Sequence, residues 1–159
     1  ETSQYAYFIC DSEGFCVTAN DALLRLFNAK LNEMLGLGWL NFIHPNHVAR
    51  VKSNWVSGIA NKSVNVNDHY PIIDKAKYEL DGEIKIILHA AYKALFQYEN
   101  GKLQRAVGTV WRVEEDDVKT DRRRDEQLDC IIDMFAKIKG TTTWANIMDE
   151  VKLKHTKSS

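Results

Sequence analysis

Two histidines have a spacing that could support metal chemistry. His44 and His47 lie three residues apart beside the start of a predicted helix, so their imidazoles could ligate one metal ion or a haem iron. A zinc site would need two further ligands, and no other Cys or His pair has zinc-finger spacing. We therefore predict no metal site and favour a structural or surface role for His44.

The sequence carries no recognisable catalytic motif. It has no nucleophile paired with a base, and Gly36-Leu37-Gly38 lacks the further Gly and the Lys of a phosphate-binding loop. We predict that the domain is not itself an enzyme and has no catalytic residues. The alternative from another functional class is a small α+β enzyme that uses His44 or His89 as its base.

The chain has three cysteines, which are Cys10, Cys16 and Cys130. Three is an odd number and too small for a disulfide framework, so we expect these residues to be thiols in a reducing compartment. Cys10 and Cys16 flank the first predicted turn and could lie opposite each other. The sequence leaves two interpretations of this pair open. The two residues could form a redox-sensing pair, or they could be two small buried thiols.

Large apolar side chains could line a pocket for a flat ligand, since such sites have aromatic walls and few polar groups. Plain core packing is the alternative for the same residues. The candidate lining residues are Trp39, Phe42, His44, Trp55, Leu88, Tyr92 and Trp111.

The elements that position these residues follow from local patterns. Short β-rich runs at residues 5–10 and 15–18 flank turn-forming residues, which predicts a hairpin. Asn20 is a helix N-cap type that starts a short helix. From Pro45 onward, apolar residues recur every three to four positions up to Ile59, which predicts the longest helix of the core.

After residue 61 the pattern changes to strands. The runs 84–95 and 103–113 are rich in β-branched and aromatic residues, and the turn-forming residues 99–102 separate them as a hairpin. Two strands, a helical middle and three further strands predict an α+β domain with one antiparallel sheet and its helices on one face. Alternation assigns Ile84, Ile86, Leu88, Ala90 and Tyr92 to the helix-covered face.

The opposite face is predicted to be apolar, with Ile87, Ala91 and Val110. An amphipathic stripe beyond the sheet could cover it, or a second subunit could. The stripe consists of Leu128, Ile131, Ile132, Phe135 and Ile138. We therefore divide the chain into a domain at 1–115, a linker or signalling helix at 116–140, and a short second helix with a polar tail at 141–159.

Composition restricts the functional classes. The chain of 159 residues is 45% hydrophobic and 27% charged, which is typical of one globular domain with a modest extension. A net charge of −1 excludes the basic footprint of proteins that bind nucleic acid or an anionic membrane. There is no 18-residue apolar run and no signal peptide, so we expect a cytoplasmic domain. The start at Glu1 suggests a processed protein or a piece of a longer one.

Several short motifs in this order resemble a PAS domain of the PAS-fold-3 type. They are the turn 11–14 followed by Asn20, the segment Gly-Trp-Leu-Asn-Phe-Ile-His-Pro at 38–45, and the turn 101–102 leading to Gly-Thr-Val-Trp at 108–111. The resemblance covers about residues 5–115. It implies a five-stranded antiparallel sheet in a sensory and protein-interaction module like those of histidine kinases, cyclic-dinucleotide enzymes, chemoreceptors and transcription regulators.

The resemblance implies a homodimer that controls an attached or separate effector in response to a small ligand or a cofactor, for which haem and flavin are the candidates. The alternative is a dimerisation-only module with a filled core. Two features depart from the family pattern. Arg112 stands where the last strand of PAS domains commonly has an Asp that couples the sheet to the following helix. The flavin-adduct cysteine motif of light-oxygen-voltage domains is absent, since no Cys lies between Cys16 and Cys130.

Overall fold

The computed structural model describes residues 5–113 of the chain. The predicted helices at 116–140 and 141–159, and Cys130, lie outside the described residues. The elements in chain order are β1 (Ala6–Cys10), β2 (Cys16–Ala19), α1 (Asp21–Phe27), α2 (Leu31–Met34), a 3-10 helix (Gly38–Phe42), α3 (Pro45–Ala60), β3 (Asn65–Ile73), α4 (Lys75–Asp81), β4 (Ile86–Glu99) and β5 (Lys102–Arg112).

The strands form one antiparallel sheet in the order β2-β1-β5-β4-β3. Helices α1, α2 and α3 contribute residues to a core cluster with one face of the sheet, which we call the inner face. This arrangement confirms the predicted α+β class, the five-stranded antiparallel sheet and the helices on one face. None of the helices between residues 5 and 113 is long and apolar enough to cross a membrane.

Asn20 connects the first helix to the first hairpin. Its Oδ1 accepts hydrogen bonds from the backbone N–H of Leu23, 3.2 Å away, and from that of Tyr7, 3.0 Å away. Its Nδ2 donates to the carbonyl oxygen of Tyr5 at 2.6 Å. The same side chain therefore caps α1 and holds it against β1.

The long helix α3 begins where the sequence predicts. Pro45 occupies its first turn, and Nδ1 of His44 accepts a hydrogen bond from the backbone N–H of Asn46 at 3.1 Å. Near the end of the helix, a Cβ at Gly58 would lie 2.4 Å from Cγ2 of Val66 on β3. A glycine is needed there because the helix and the sheet approach so closely.

A carboxylate network fastens α3 to β3. The Asp68 carboxylate, whose side chain is only 3% exposed, forms an ion pair with Arg50 at 2.5 Å and accepts a hydrogen bond from Asn54 at 3.1 Å. Arg50 also donates to the carbonyl oxygen of His69 at 2.8 Å. The backbone N–H of His69 also donates to the Asp68 carboxylate, at 2.8 Å. Three polar partners therefore replace the water that the buried carboxylate loses, so the network has a structural role.

The structure corrects four face assignments on the sheet. Ile87, predicted on the outer face, packs against the core cluster of the inner face. Val110, predicted on the outer face, is a buried inner-face residue because it pairs with Tyr92 in the β4–β5 register. Ile84 and Ile86, predicted in the core, are 43% and 45% exposed. Ile84 precedes β4. At Ile86 the register shifts, since Ile72 pairs with Leu88 and Ile73 pairs with Ile86, and the extra residue reverses the alternation.

Two elements have no counterpart among the predictions. Helix α4 contains no buried residue, so it shows no apolar stripe from which a helix could be predicted. The 3-10 helix at Gly38–Phe42 begins at the second of two glycines, Gly36 and Gly38, which predict only the end of a helix. It buries Leu40 and Phe42 and places Trp39 beside the core.

Candidate functional site

A cavity of about 30 Å³ lies between the helices and the inner face of the sheet. We call it the central cavity. It has room for only one or two water-sized groups. The lining residues come from β1, β2, β3, β4 and β5 on one side and from α1, α2, the 3-10 helix and α3 on the other, and they are Phe8, Cys10, Cys16, Leu23, Phe27, Met34, Trp39, Trp55, Tyr70, Tyr92 and Val110.

Aromatic rings form most of the wall around Tyr92. Its ring lies edge-on to Trp55 at 6.0 Å and to Trp39 at 6.4 Å between centroids, and within 5.9 Å of Tyr70. Trp55 is held in place by its Nε1, which donates to the carbonyl oxygen of Gly14 at 3.0 Å. These edge-to-face contacts are favourable, and they keep the wall apolar.

The hydroxyl of Tyr92 is the unusual polar group of this wall. The residue is 2% exposed, and its Oη has no hydrogen-bond partner among the described residues. Burial raises the pKa of Tyr92 well above its ordinary value, and the nearby charge of Asp68 acts in the same direction. The hydroxyl is therefore neutral and available to a hydrogen-bonding group that enters the cavity.

Two cysteines lie opposite each other at the same cavity. Cys10 on β1 pairs with Cys16 on β2, and both are free thiols. Burial raises the pKa of the Cys16 thiol to about 12 and that of Cys10 well above its ordinary value. Both side chains are therefore neutral thiols near pH 7. Thr18 stabilises Cys16 in this position, because the thiol donates to its carbonyl oxygen at 3.5 Å.

The structure brings together three of the seven predicted lining residues, Trp39, Trp55 and Tyr92. The other four lie elsewhere. Phe42 packs against Phe27 and under the ammonium group of Lys75, Leu88 pairs with Ile72 on β3, and Trp111 pairs with Ala91. His44 caps α3 outside the cavity.

Sequence reasoning missed eight of the eleven lining residues, including Phe8, Met34 and Tyr70. Tyr70 belongs to an alternating pattern with Val66 and Ile72 that would have predicted the full length of β3. Pro71 and Asp68 interrupt that pattern. Met34 carried no signal, because its contact with the sheet depends on tertiary packing.

Neither of the candidate cofactors fits these residues. A haem or a flavin has a ring system far larger than 30 Å³. The His44 ring lies 5.6 Å from the His47 ring outside the cavity, and its Nδ1 is engaged with Asn46. Within residues 5–113, no group of three or more His, Cys, Asp or Glu side chains could hold a metal ion. His89, the other candidate base, is exposed on β4.

The outer face of the sheet is also largely apolar. Ile9 and Val17 are buried there and form a second cluster with Tyr7. Ala91 on β4 and Trp111 on β5 pair with each other and are each 9% exposed. Alternation along the strands therefore places this surface directly behind the central cavity.

Comparisons with known proteins agree with this architecture. The sequence matches a family model described as the PAS fold over residues 16–110, which is more than half of the chain. No protein with a curated description matches the sequence.

Solved structures with the same fold share few identical residues with this chain. The PAS domain of a Colwellia psychrerythraea protein is 18% identical, with a TM-score of 0.52 over 70% of this chain and 87% of that one. The PAS domain of Bordetella pertussis BvgS is 15% identical, with a TM-score of 0.50 over 80% and 90% of the two chains. The N-terminal domain of a diguanylate cyclase with a PAS/PAC sensor from Marinobacter aquaeolei is 11% identical, with a TM-score of 0.54 over 67% and 93%. Similarity at this level of identity shows a common fold.

Proposed function

The chain belongs to the PAS-fold family, and from this premise we propose that residues 1–115 form the sensory and protein-interaction domain of a signal-transduction protein. A small molecule or ion in the central cavity is the signal. The response is a change in how the outer face of the sheet holds its covering partner, which shifts a two-state equilibrium of an attached effector.

One observation carries this proposal. The paired residues Tyr92 and Val110 line the central cavity, and the paired residues Ala91 and Trp111, one position away on the same strands, lie on the outer face. A displacement of β4 or β5 at the cavity therefore also moves the outer face. Because packed interiors respond to small changes in volume, even a small occupant can shift these strands.

We propose that the apolar stripe at 128–138 covers the outer face, with a cytoplasmic homodimer as the assembled form. The stripe follows the domain directly and repeats apolar residues at helical spacing, which suits the apolar centre of the sheet. The effector and the second subunit of the dimer are included in the proposal because the PAS-fold family implies them.

A matched pair of substitutions tests the coupling. Val110→Ala enlarges the central cavity, whereas Val66→Ala removes the same atoms from the inner face at a position that does not line it. If the proposal is correct, amide hydrogen exchange within 128–138 becomes about tenfold faster in Val110→Ala than in Val66→Ala, under conditions in which both variants stay folded. Equal exchange in the two variants would contradict the coupling.

The dimerisation-only alternative is favoured by one observation, the small volume of the cavity. Freshly purified protein distinguishes the two functions when it is denatured and the released small molecules are analysed by absorption spectroscopy and mass spectrometry. A stoichiometric released molecule supports a sensor. If nothing is released and Val110→Ala has no remote effect, the dimerisation-only function is supported. A dimer that persists after truncation at Glu115 would show that the stripe is not the main association element.

A further inference from the structure

The main-chain pattern around Cys16 brings the two thiols close together. The N–H and the carbonyl of Cys16 both bond to Gly36, at 2.9 and 2.8 Å, and are therefore turned away from β1. Cys10 and Cys16 consequently form a non-hydrogen-bonded pair beside the register shift at Val17. In regular pairs of this type the Cα atoms are about 4.5 Å apart and the side chains are closest. Both thiols face the central cavity.

A third sulfur atom belongs to the same cavity. Met34 ends α2 and is one of the cavity-lining residues. The Cys16–Gly36 bridge begins two residues after Met34 and ties the end of α2 to β2. The side chain of Met34 therefore reaches the cavity from the helix side, and Cys16 reaches it from the sheet side. No charged side chain lines this cavity.

Two thiols and a thioether are soft ligands, which select Cu(I) over the harder divalent ions. Zinc prefers four ligands, and no His or carboxylate lines the cavity to complete such a set. A monovalent ion between two thiolates leaves a single negative charge in the apolar cavity, and a hydrogen-bond donor in the cavity wall offsets part of the cost of burying that charge. A single ion also suits a volume of about 30 Å³.

The unpartnered hydroxyl of Tyr92 points to the same occupant. It is buried in the wall of the small cavity that Cys10 and Cys16 also line. A phenol hydroxyl can donate a hydrogen bond to a thiolate sulfur, and such contacts around the ligands stabilise metal sites.

We propose that the central cavity is a binding site for Cu(I), with the sulfur atoms of Cys10, Cys16 and Met34 as ligands and the Tyr92 hydroxyl as a hydrogen-bond donor to a ligand sulfur. The proposal rests on the proposed function, because it names the ligand of the sensory cavity. Binding exchanges the two thiol protons for the metal: the S–H bonds of Cys10 and Cys16 break, two sulfur–copper bonds form, both protons leave to solvent, and the Met34 thioether donates a lone pair. No electron is transferred.

The test is an anaerobic titration of the reduced full chain with Cu(I) against a chromogenic copper chelator. One equivalent is expected to bind. Affinity should fall about 100-fold in Cys10→Ser and Cys16→Ser and about tenfold in Met34→Leu and Tyr92→Phe. Cys130→Ser is the matched control and should bind as the unaltered chain does. Equal binding by the Cys16→Ser variant, or loss of binding in the Cys130→Ser variant, would overturn the proposal.

A measurement on the unaltered chain covers the case in which a variant fails to fold. X-ray absorption of the unaltered chain loaded with one equivalent of Ag(I), a redox-inert probe, should show sulfur ligands only. Nitrogen or oxygen ligands to Ag(I), or conversion of Cys10 and Cys16 to a disulfide without metal uptake, would also overturn the site. If Cu(I) binds at these sulfurs but leaves exchange within 128–138 unchanged, the metal site stands and the proposed sensory coupling fails. If Cu(I) does not bind but Val110→Ala alters that exchange, the sensory coupling stands and the metal site fails.

Discussion

Tyr92→Phe is expected to raise the free energy of unfolding of this protein. The Tyr92 hydroxyl is buried and has no hydrogen-bond partner among the described residues. Phenylalanine keeps the ring and its contacts with Trp39, Trp55 and Tyr70, which are edge contacts or tilted ones that need no hydroxyl. The substitution therefore removes a desolvation cost and leaves the aromatic packing in place.

The size of the effect follows from the cost of burying a hydroxyl without a partner, which is about 1–3 kcal/mol. A water molecule in the 30 Å³ cavity would recover part of that cost in the unaltered protein. Loss of the oxygen atom also leaves a slightly larger void, which subtracts a little from the gain. We therefore expect Tyr92→Phe to stabilise the protein by about 1 kcal/mol.

Urea unfolding at pH 7 of the unaltered chain, Tyr92→Phe and Tyr98→Phe provides the assay. Tyr98 is the control, since its hydroxyl donates to the carbonyl oxygen of Ser63 at 2.8 Å. Its removal should destabilise the protein by about 1 kcal/mol. If Tyr92→Phe is as destabilising as Tyr98→Phe, the Tyr92 hydroxyl is hydrogen-bonded in the folded protein and the reasoning is wrong.

The pH dependence gives the same prediction a second readout. Burial raises the pKa of Tyr92, with Asp68 and Cys10 adding to the rise and Arg50 opposing it. A raised pKa in the folded state means that this contribution to stability is complete below the unfolded pKa of about 10 and is lost as the pH rises above it. The unaltered chain should therefore lose stability above pH 10 more steeply than Tyr92→Phe.

Three further substitutions test the packing around the site by urea unfolding. Gly58→Ala should destabilise the protein by about 1 kcal/mol, because the clash of the new Cβ with the sheet costs more than the gain of about 1 kcal/mol in helix propensity. Ser57→Ala is the control, since Ser57 is exposed on the same helix, and it should be neutral or slightly stabilising. A stabilising Gly58→Ala would show that α3 is not held so close. Trp55→Phe should cost about 2–4 kcal/mol, since it leaves the Gly14 carbonyl unpaired and a void in the core, and a loss below about 1 kcal/mol would refute that bond. Asn20→Ala should lower the free energy of unfolding by about 2 kcal/mol, which is more than the loss of an ordinary helix N-cap, because three backbone groups lose their bond to Asn20. A decrease typical of an isolated N-cap would count against the link to β1.

Local signals made much of the fold predictable. The turn at residues 11–14 follows from Asp11, whose carboxylate accepts from the backbone N–H of Glu13 and Phe15 at 2.9 and 3.0 Å. The start of α3 follows from Pro45, and its buried face from the spacing of Val51 and Trp55. These signals depend on residues within a few positions of each other, so one sequence contains them in full.

The parts that escaped prediction depend on distant partners. Asp68 is polar, yet it lies on the buried face of β3 because Arg50, 18 residues away, neutralises it. The register shift at Ile72 and Ile73 is a property of two strands, and it reverses the expected face of Ile86. The same limit applies to the cavity, since Met34 reaches its wall only after α2 has docked on β2.

The central cavity and the outer face are connected through the edge strand β2 as well as through β5. Met34 lines the cavity, and Gly36, two residues later, holds Cys16 by two main-chain hydrogen bonds. An occupant that displaces Met34 would therefore pull on Cys16, and the next residue, Val17, lies on the outer face. β2 has four residues and pairs with only one strand of the sheet, so it should move at lower cost than β5, which is bonded on both sides. The amides of Gly36 and Cys16 should thus be the first to change hydrogen-exchange protection when the cavity is filled, and a change confined to β5 would place the coupling in the centre of the sheet.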